Sequence, residues 1–448
     1  MKNSFSKCLG VAACICMAQM CFSGDFSLQE LNLNHPDGIY QKNEEIVVTG
    51  TLLKAGQPSP DYSLRVITTW ESVKPVTSQD FPCDGKPFRV SYKNDKPGWV
   101  YFKFQVVGPD GQLVKEPAAK NPQGKKELVG EIGAMIAPEE IRVADEEPAD
   151  FYEFWKNERE KLDKVPMNSR TEKIDSGREG IELFTVKLDA GVSQPVTGYL
   201  ALPVGAQEKS LPIFLSFLDG VNSDTYRNWA LNTAARGAVA LITTWHGFDV
   251  NREQKYYDEN CGKIQSYKTA TSREDFYFRE VFVRAMRAAD YLKSRPEWNG
   301  HDFLARGGSL AGAQTIAIAA LDRQVTLALI LVPSHSGYNA DLAGRKRGLP
   351  FHWIPDTWMT PQMRKSVPYC DTAHLAKRIT CECYFGTGFA DEVCTPSNVF
   401  AAYNNVPKEV KKTMYTNPRT GHYGTTRDAN AEKRLEEFFQ NSYKALQK

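Results

Sequence analysis

From about residue 150 onward, short apolar runs alternate with amphipathic ones, and this alternation constrains the architecture more than any other feature of the chain. "LPIFLSF", "GAVALITTW", "TLALILVP", "ITCECYFG" and "KKTMYT" read as strands bounded by turn residues. Between and around them lie helical patterns: "PADFYEFWKNEREKL", "SREDFYFREVFVRAMRAADYLKS" and "DANAEKRLEEFFQNSYKAL". Strands that are apolar along their whole length must be covered on both faces. Strands separated by helices are joined by crossovers, which make neighbours parallel. The pattern predicts a mostly parallel sheet covered by helices. Residues 334–377 break the rhythm, being polar and aromatic with several prolines, and are expected to form an inserted segment of short helices above the sheet.

The chain is 448 residues long, enough for two or three domains. Residues 25–138 obey a different rule. "EEIVVTGTLL", "YSLRVITTW", "PFRVSY" and "GWVYFKFQVVGPDG" alternate β-branched and aromatic residues with polar ones, punctuated by Asp-Gly and Pro-Gly. They predict an antiparallel β-sandwich of immunoglobulin type with no catalytic cluster of its own. Its expected role is to pack on the neighbouring domain or to bind glycan. Residues 139–448 form the second domain.

Residues 1–24 have the form of an export signal. Lys2 and Lys7 precede the apolar run "CLGVAACICMAQM", and small residues follow near Ser23 and Gly24. The run is shorter than the about 20 residues that span a bilayer, and no other segment is long and apolar enough. An exported, periplasmic or extracellular protein is expected. Four of the ten cysteines fall in this leader, leaving Cys83, Cys261, Cys370, Cys381, Cys383 and Cys394 as buried small residues or disulfide partners. None has companions at metal-ligand spacing. Net charge is +1, without the basic surface that nucleic acid requires, so no nucleic-acid partner is expected.

The stretch "FLARGGSLAGAQ" places Ser309 between Gly307, Gly308, Ala311 and Gly312, where a strand gives way to a helix. Small residues two places either side allow strand and helix to cross closely while the serine takes up strained dihedrals. This is the nucleophile elbow of α/β hydrolases. Such a serine needs a base and an orienting acid, which follow in the order Ser, Asp, His on loops after later strands. "ITCECYFG" runs into "TGFADEVCTPS", which puts Asp391 after a strand, and "KKTMYT" runs into "NPRTGHYG", which does the same for His422. Glu392 is a rival acid one residue further on. His246 and His335 also follow strands and are read as pocket residues. The oxyanion donors are expected to be the backbone N–H of Leu310 and that of Asp219 or Gly220.

The hydrolase half resembles carbohydrate esterase family seven, the acetylxylan esterases and cephalosporin-C deacetylases. "PADFYEFW", "TGYLALP", "ARGGSLAGAQ", "YCDTAHLAKRITCECYFGTGFADEVCTPS" and "NPRTGHYG" carry the likeness, in order, from about Glu139 to the C-terminus. The resemblance implies an α/β hydrolase that removes acetyl groups from sugar hydroxyls, with Ser309, Asp391 and His422 as triad and Asp219 and Leu310 as oxyanion donors. It implies acetylated carbohydrate as substrate and no metal or organic cofactor. Where the family reads His-Gly-Tyr this chain has Leu218, Asp219 and Gly220. Where it has Gln-Gly after the nucleophile this chain has Leu310 and Ala311, and "TWHGFD" stands in place of an Arg-Gly-Gln-Gly stretch. These departures surround the expected pocket and bear on the substrate. Compact family members lack the N-terminal β-domain, so the resemblance does not extend to their ring-shaped oligomers and leaves the oligomeric state open. Two other readings remain open on the same residues: a hydrolase for a different ester or a peptide, and a non-catalytic glycan-binding protein.

Overall fold

The computed structural model describes residues 21–23, 25–115, 127–218, 223–261, 266–426 and 428–446. Nearly all of the expected leader and the oxyanion candidates Asp219 and Gly220 lie outside the described residues.

Two sheets make up the N-terminal part. One has four strands in the order Cys21–Ser23, Phe26–Leu33, Ile46–Lys54 and Phe88–Tyr92, all antiparallel. The other has five, in the order Ile39–Tyr40, Gly130–Ile136, Gly98–Val107, Ser63–Trp70 and Lys74–Pro82. The pair Ile39–Tyr40 and Gly130–Ile136 is parallel and the remaining pairs are antiparallel. Alternation along each strand sends one face inward. Ile46, Val48, Leu52, Val66, Val100, Phe102 and Phe104 form the layer between the sheets.

The second part is a nine-stranded sheet. Its order is Arg170–Ile174, Ile181–Leu188, Val196–Pro203, Val239–Thr244, Leu211–Leu218, Trp298–Gly308, Leu327–Leu331, Glu382–Gly388 and Lys412–Asn417. The first three are joined antiparallel to one another and to Val239–Thr244; the remaining pairs are all parallel. Helices Tyr277–Lys293 and Leu310–Leu321 cover one face through Phe282, Ala285, Ile316 and Ile318. Helices Ser223–Ala234 and Ala429–Leu446 cover the other through Ala230, Leu231, Leu435 and Phe439. Central strands such as Val239–Thr244 and Leu327–Leu331 are buried along their whole length, as their continuous apolar sequences require.

Residues 334–377 lie between strands Leu327–Leu331 and Glu382–Gly388 as short helical turns, including Ala340–Ala343, Phe351–Trp353, Pro361–Ser366 and Thr372–Ala376. Phe351 is fully buried against Phe276 and Tyr338, so the segment is anchored in the core. The described cysteines Cys83, Cys370, Cys381, Cys383 and Cys394 are buried thiols without disulfide partners. Among the described residues no helix is long and apolar enough to cross a membrane.

Candidate active site

Ser309 sits between the strand Trp298–Gly308 and the helix Leu310–Leu321 with φ 58° and ψ −121°, a left-handed conformation that a residue with a side chain rarely adopts. Three backbone bonds hold it there. Its N–H donates to the Leu331 carbonyl at 2.9 Å, and its own carbonyl accepts from Ala313 at 3.1 Å and Ser334 at 3.0 Å. The glycines explain how the chain fits. A Cβ on Gly307 would lie 2.2 Å from the Ala311 carbonyl oxygen, and one on Gly312 would lie 2.9 Å from that of Leu331. The helix crosses its strand within backbone distance, which only a missing side chain allows. Ala311 fits at the following position because Gly307 opposite supplies the space.

Asp391 and His422 arrive on loops after the last two parallel strands. Asp391 is completely buried. Its Oδ1 accepts from the backbone N–H groups of Val393 at 2.8 Å and Cys394 at 3.0 Å. Its Oδ2 lies 2.9 Å from His422 Nδ1, and His422 Nε2 lies 3.0 Å from Ser309 Oγ. A carboxylate only accepts, so Nδ1 carries the proton and Nε2 is left free to accept from the serine hydroxyl. The structure thus brings Ser309, His422 and Asp391 into one line of hydrogen bonds. Burial disfavours the His422 imidazolium, but the hydrogen bond to Asp391 outweighs it, and the ring is held above its ordinary range.

The rivals are occupied elsewhere. Glu392 Oε1 accepts from the Ser72 hydroxyl at 2.7 Å and pairs with Lys103 at 2.6 Å, facing the N-terminal sheets. His246 is bonded to Tyr277 Oη, and burial with the nearby Arg284 charge lowers it to about 3. His335 is lowered to about 3 by burial alone and bonds Ser334 Oγ. Both stay neutral and weakly basic at any ordinary pH. Leu310 is the first residue of its helix, so its N–H has no acceptor within the helix and points out of the positive end. One neighbour was not singled out from sequence. The Cys394 thiol lies within hydrogen-bonding reach of His422 and Ser309, and burial pushes it up, keeping it neutral. Its place three residues after Asp391, in the turn that binds Oδ1, is the signal that could have found it.

A mostly parallel sheet with helices on both faces, and a strained serine at the turn from a central strand into a helix, define an α/β hydrolase. The chain belongs to the acetyl xylan esterase family (AXE1), which matches residues 138–438. It is a carboxylic ester hydrolase of that family. It is 26% identical over 399 residues to the acetyl esterase Axe7A of Xylanibacter ruminicola, covering 84% of this chain and 83% of the relative. The acetyl xylan esterase from Paenibacillus sp. R4 superposes with a TM-score of 0.58 at 22% identity, over 68% of this chain and 98% of its own. Acetyl xylan esterase 1 from Thermoanaerobacterium sp. JW/SL YS485 gives 0.57 at 21% identity, with the same coverage. These two share the fold of the hydrolase part.

Proposed function

We propose that this chain is an exported esterase that removes O-acetyl groups from acetylated xylan or xylo-oligosaccharides by way of an acetyl-enzyme on Ser309. The observation that carries the reading is the line of bonds from Asp391 through His422 to the strained, elbow-borne Ser309. Family membership supplies the ester class, and the acetyl esterase Axe7A supports acetyl as the acyl group.

His422 Nε2 takes the Ser309 proton as Oγ bonds to the acetyl carbonyl carbon. Asp391 holds the ring in the tautomer this needs and stabilises the imidazolium that results. The carbonyl oxygen becomes an oxyanion, received by the backbone N–H of Leu310 and that of Asp219, each worth about 3 kcal/mol of barrier. The ester C–O bond breaks, the sugar oxygen takes the proton from His422, and the sugar leaves. Water then gives its proton to His422 and attacks the acetyl carbon. The Ser309–acetyl bond breaks, the proton returns to Oγ, and acetic acid departs and ionises to acetate in water. No metal or organic cofactor enters these steps.

Acetate release from acetylated xylan by the parent and by Ser309→Ala tests the reaction. Release by the parent alone supports it. Equal release by both removes Ser309 from the mechanism, and preference for longer acyl esters or peptides transfers the chain to another substrate. Sequencing the N-terminus of the protein recovered from a bacterial periplasm tests export: a start near residue 25 is expected, and an intact Met1 refutes it.

A further inference from the structure

The N-terminal sheets meet the hydrolase domain at the loops bearing Asp391 and His422. Trp99, fully buried, donates its indole N–H to the Phe389 carbonyl at 2.8 Å, two residues before Asp391. Ser72 donates to Glu392, one residue after it. Glu71, also buried, accepts from the Ser397 hydroxyl at 2.7 Å, at the start of the helix Pro396–Asn405 that follows the acid loop. The approach is close enough that a Cβ on Gly133 would lie 1.8 Å from the Phe389 carbonyl oxygen. The Gly133 N–H donates to the Pro418 carbonyl at 2.9 Å, on the loop leading to His422. Trp99, Tyr101 and Met135 from one side and Phe389, Ala390, Phe400 and Ala401 from the other form a single apolar cluster around these bonds.

We infer that the β-domain is part of the catalytic apparatus: Trp99, with Ser72 and Glu71, is a positioning residue that holds the acid loop where Asp391 can orient His422. The inference rests on the proposed roles of Asp391 and His422. Its physical basis is that both residues lie beyond the ends of their strands, Asp391 on a loop and His422 at the start of the short helix His422–Thr425, where a misplacement of about 1 Å costs on the order of a hundredfold in rate. The strand after which His422 comes, Lys412–Asn417, is the edge of its sheet and is paired on one side only. The β-domain supplies the missing support.

The test compares full-length Trp99→Phe, Ser72→Ala and Asp391→Asn with Arg65→Ala. Arg65 is a β-domain residue whose side chain pairs with Asp80 of the same domain. Activity on a soluble acetyl ester is normalised to active sites counted by fluorophosphonate labelling. Trp99→Phe is expected to lower kcat on the order of tenfold and Ser72→Ala about threefold, both with KM unchanged. Both should also move the acid limb of kcat/KM to lower pH as His422 loses its tightly held partner. Arg65→Ala should do neither. If Trp99→Phe does not fold, Ser72→Ala decides alone. Folded variants with parental kcat and an unmoved acid limb, beside an inactive Asp391→Asn, overturn the positioning role and leave the triad standing. An active Asp391→Asn overturns the triad reading and this inference with it.

Discussion

Replacing Asp391 by asparagine should inactivate the enzyme through a proton, without disturbing its shape. Oδ1 receives two backbone N–H donors, from Val393 and Cys394, and Oδ2 faces His422 Nδ1. An asparagine must choose which position keeps its oxygen. Turning the NH2 toward Val393 and Cys394 leaves two buried donors unsatisfied, at about 1–3 kcal/mol each. The oxygen therefore stays at the Oδ1 position and the NH2 faces Nδ1. That ring nitrogen must now accept, so the proton moves to Nε2, which points at Ser309 as a donor and can no longer take its proton. A penalty of even about 2 kcal/mol leaves roughly one molecule in thirty in the productive arrangement. Losing the negative charge beside the imidazolium adds to this, for a total fall in kcat on the order of 10⁴. Acetate release and the rate of fluorophosphonate labelling should fall together, with the thermal midpoint little changed. Above about a tenth of parental kcat, the assignment of Asp391 fails.

Gly307→Ala puts a Cβ 2.2 Å from the Ala311 carbonyl, so the helix start must move by nearly an ångström. A loss of about 1–3 kcal/mol in denaturant unfolding and a kcat loss on the order of a hundredfold are expected, and parental values in both would refute the close crossing. Burial raises the Glu71 carboxyl to about 7 from its ordinary 4.5. The folded state therefore binds more protons than the unfolded state between those values, and stability falls as pH rises through that window. Glu71→Gln mimics the neutral form, so its advantage over the parent should grow from nothing near pH 4.5 to at most about 3 kcal/mol above pH 7, with a pH-independent difference in unfolding free energy counting against the buried acid.

The chemistry-bearing stretches were legible because each carries a local signal with a physical cause. Small residues around Ser309 announce a crossing, and apolar strands ending in "TGFADE" and "RTGH" announce where the loops emerge. The antiparallel strands Arg170–Ile174 and Ile181–Leu188 were not read. The first is exposed almost throughout and composed of polar residues, so nothing in "RTEKI" separates it from a loop. The second alternates imperfectly, with both Phe184 and Thr185 half-buried. Nor does the sequence show which residues 290 positions apart meet. Trp99 reads as one more aromatic in a strand, and its indole bond to the Phe389 carbonyl depends on how two domains dock.

The three aligned residues are not equally secured by their own domain. Ser309 follows a strand paired on both sides, with Leu211–Leu218 and with Leu327–Leu331, and its conformation is locked by bonds to Leu331 and Ser334. Asp391 follows the next-to-last strand and His422 follows the edge strand, whose residues are mostly half-buried. The strand before Asp391, Glu382–Gly388, is also paired on both sides, so precision at the nucleophile and the acid is inherited from the sheet, whereas precision at the base must be added at its margin. The N-terminal sheets dock along that margin, with the tightest backbone approach, Gly133 on Phe389, beside the acid loop. A β-domain added only to carry glycan would be free to attach anywhere on the hydrolase surface. The placement of this one follows the part of the site that its own sheet holds least firmly.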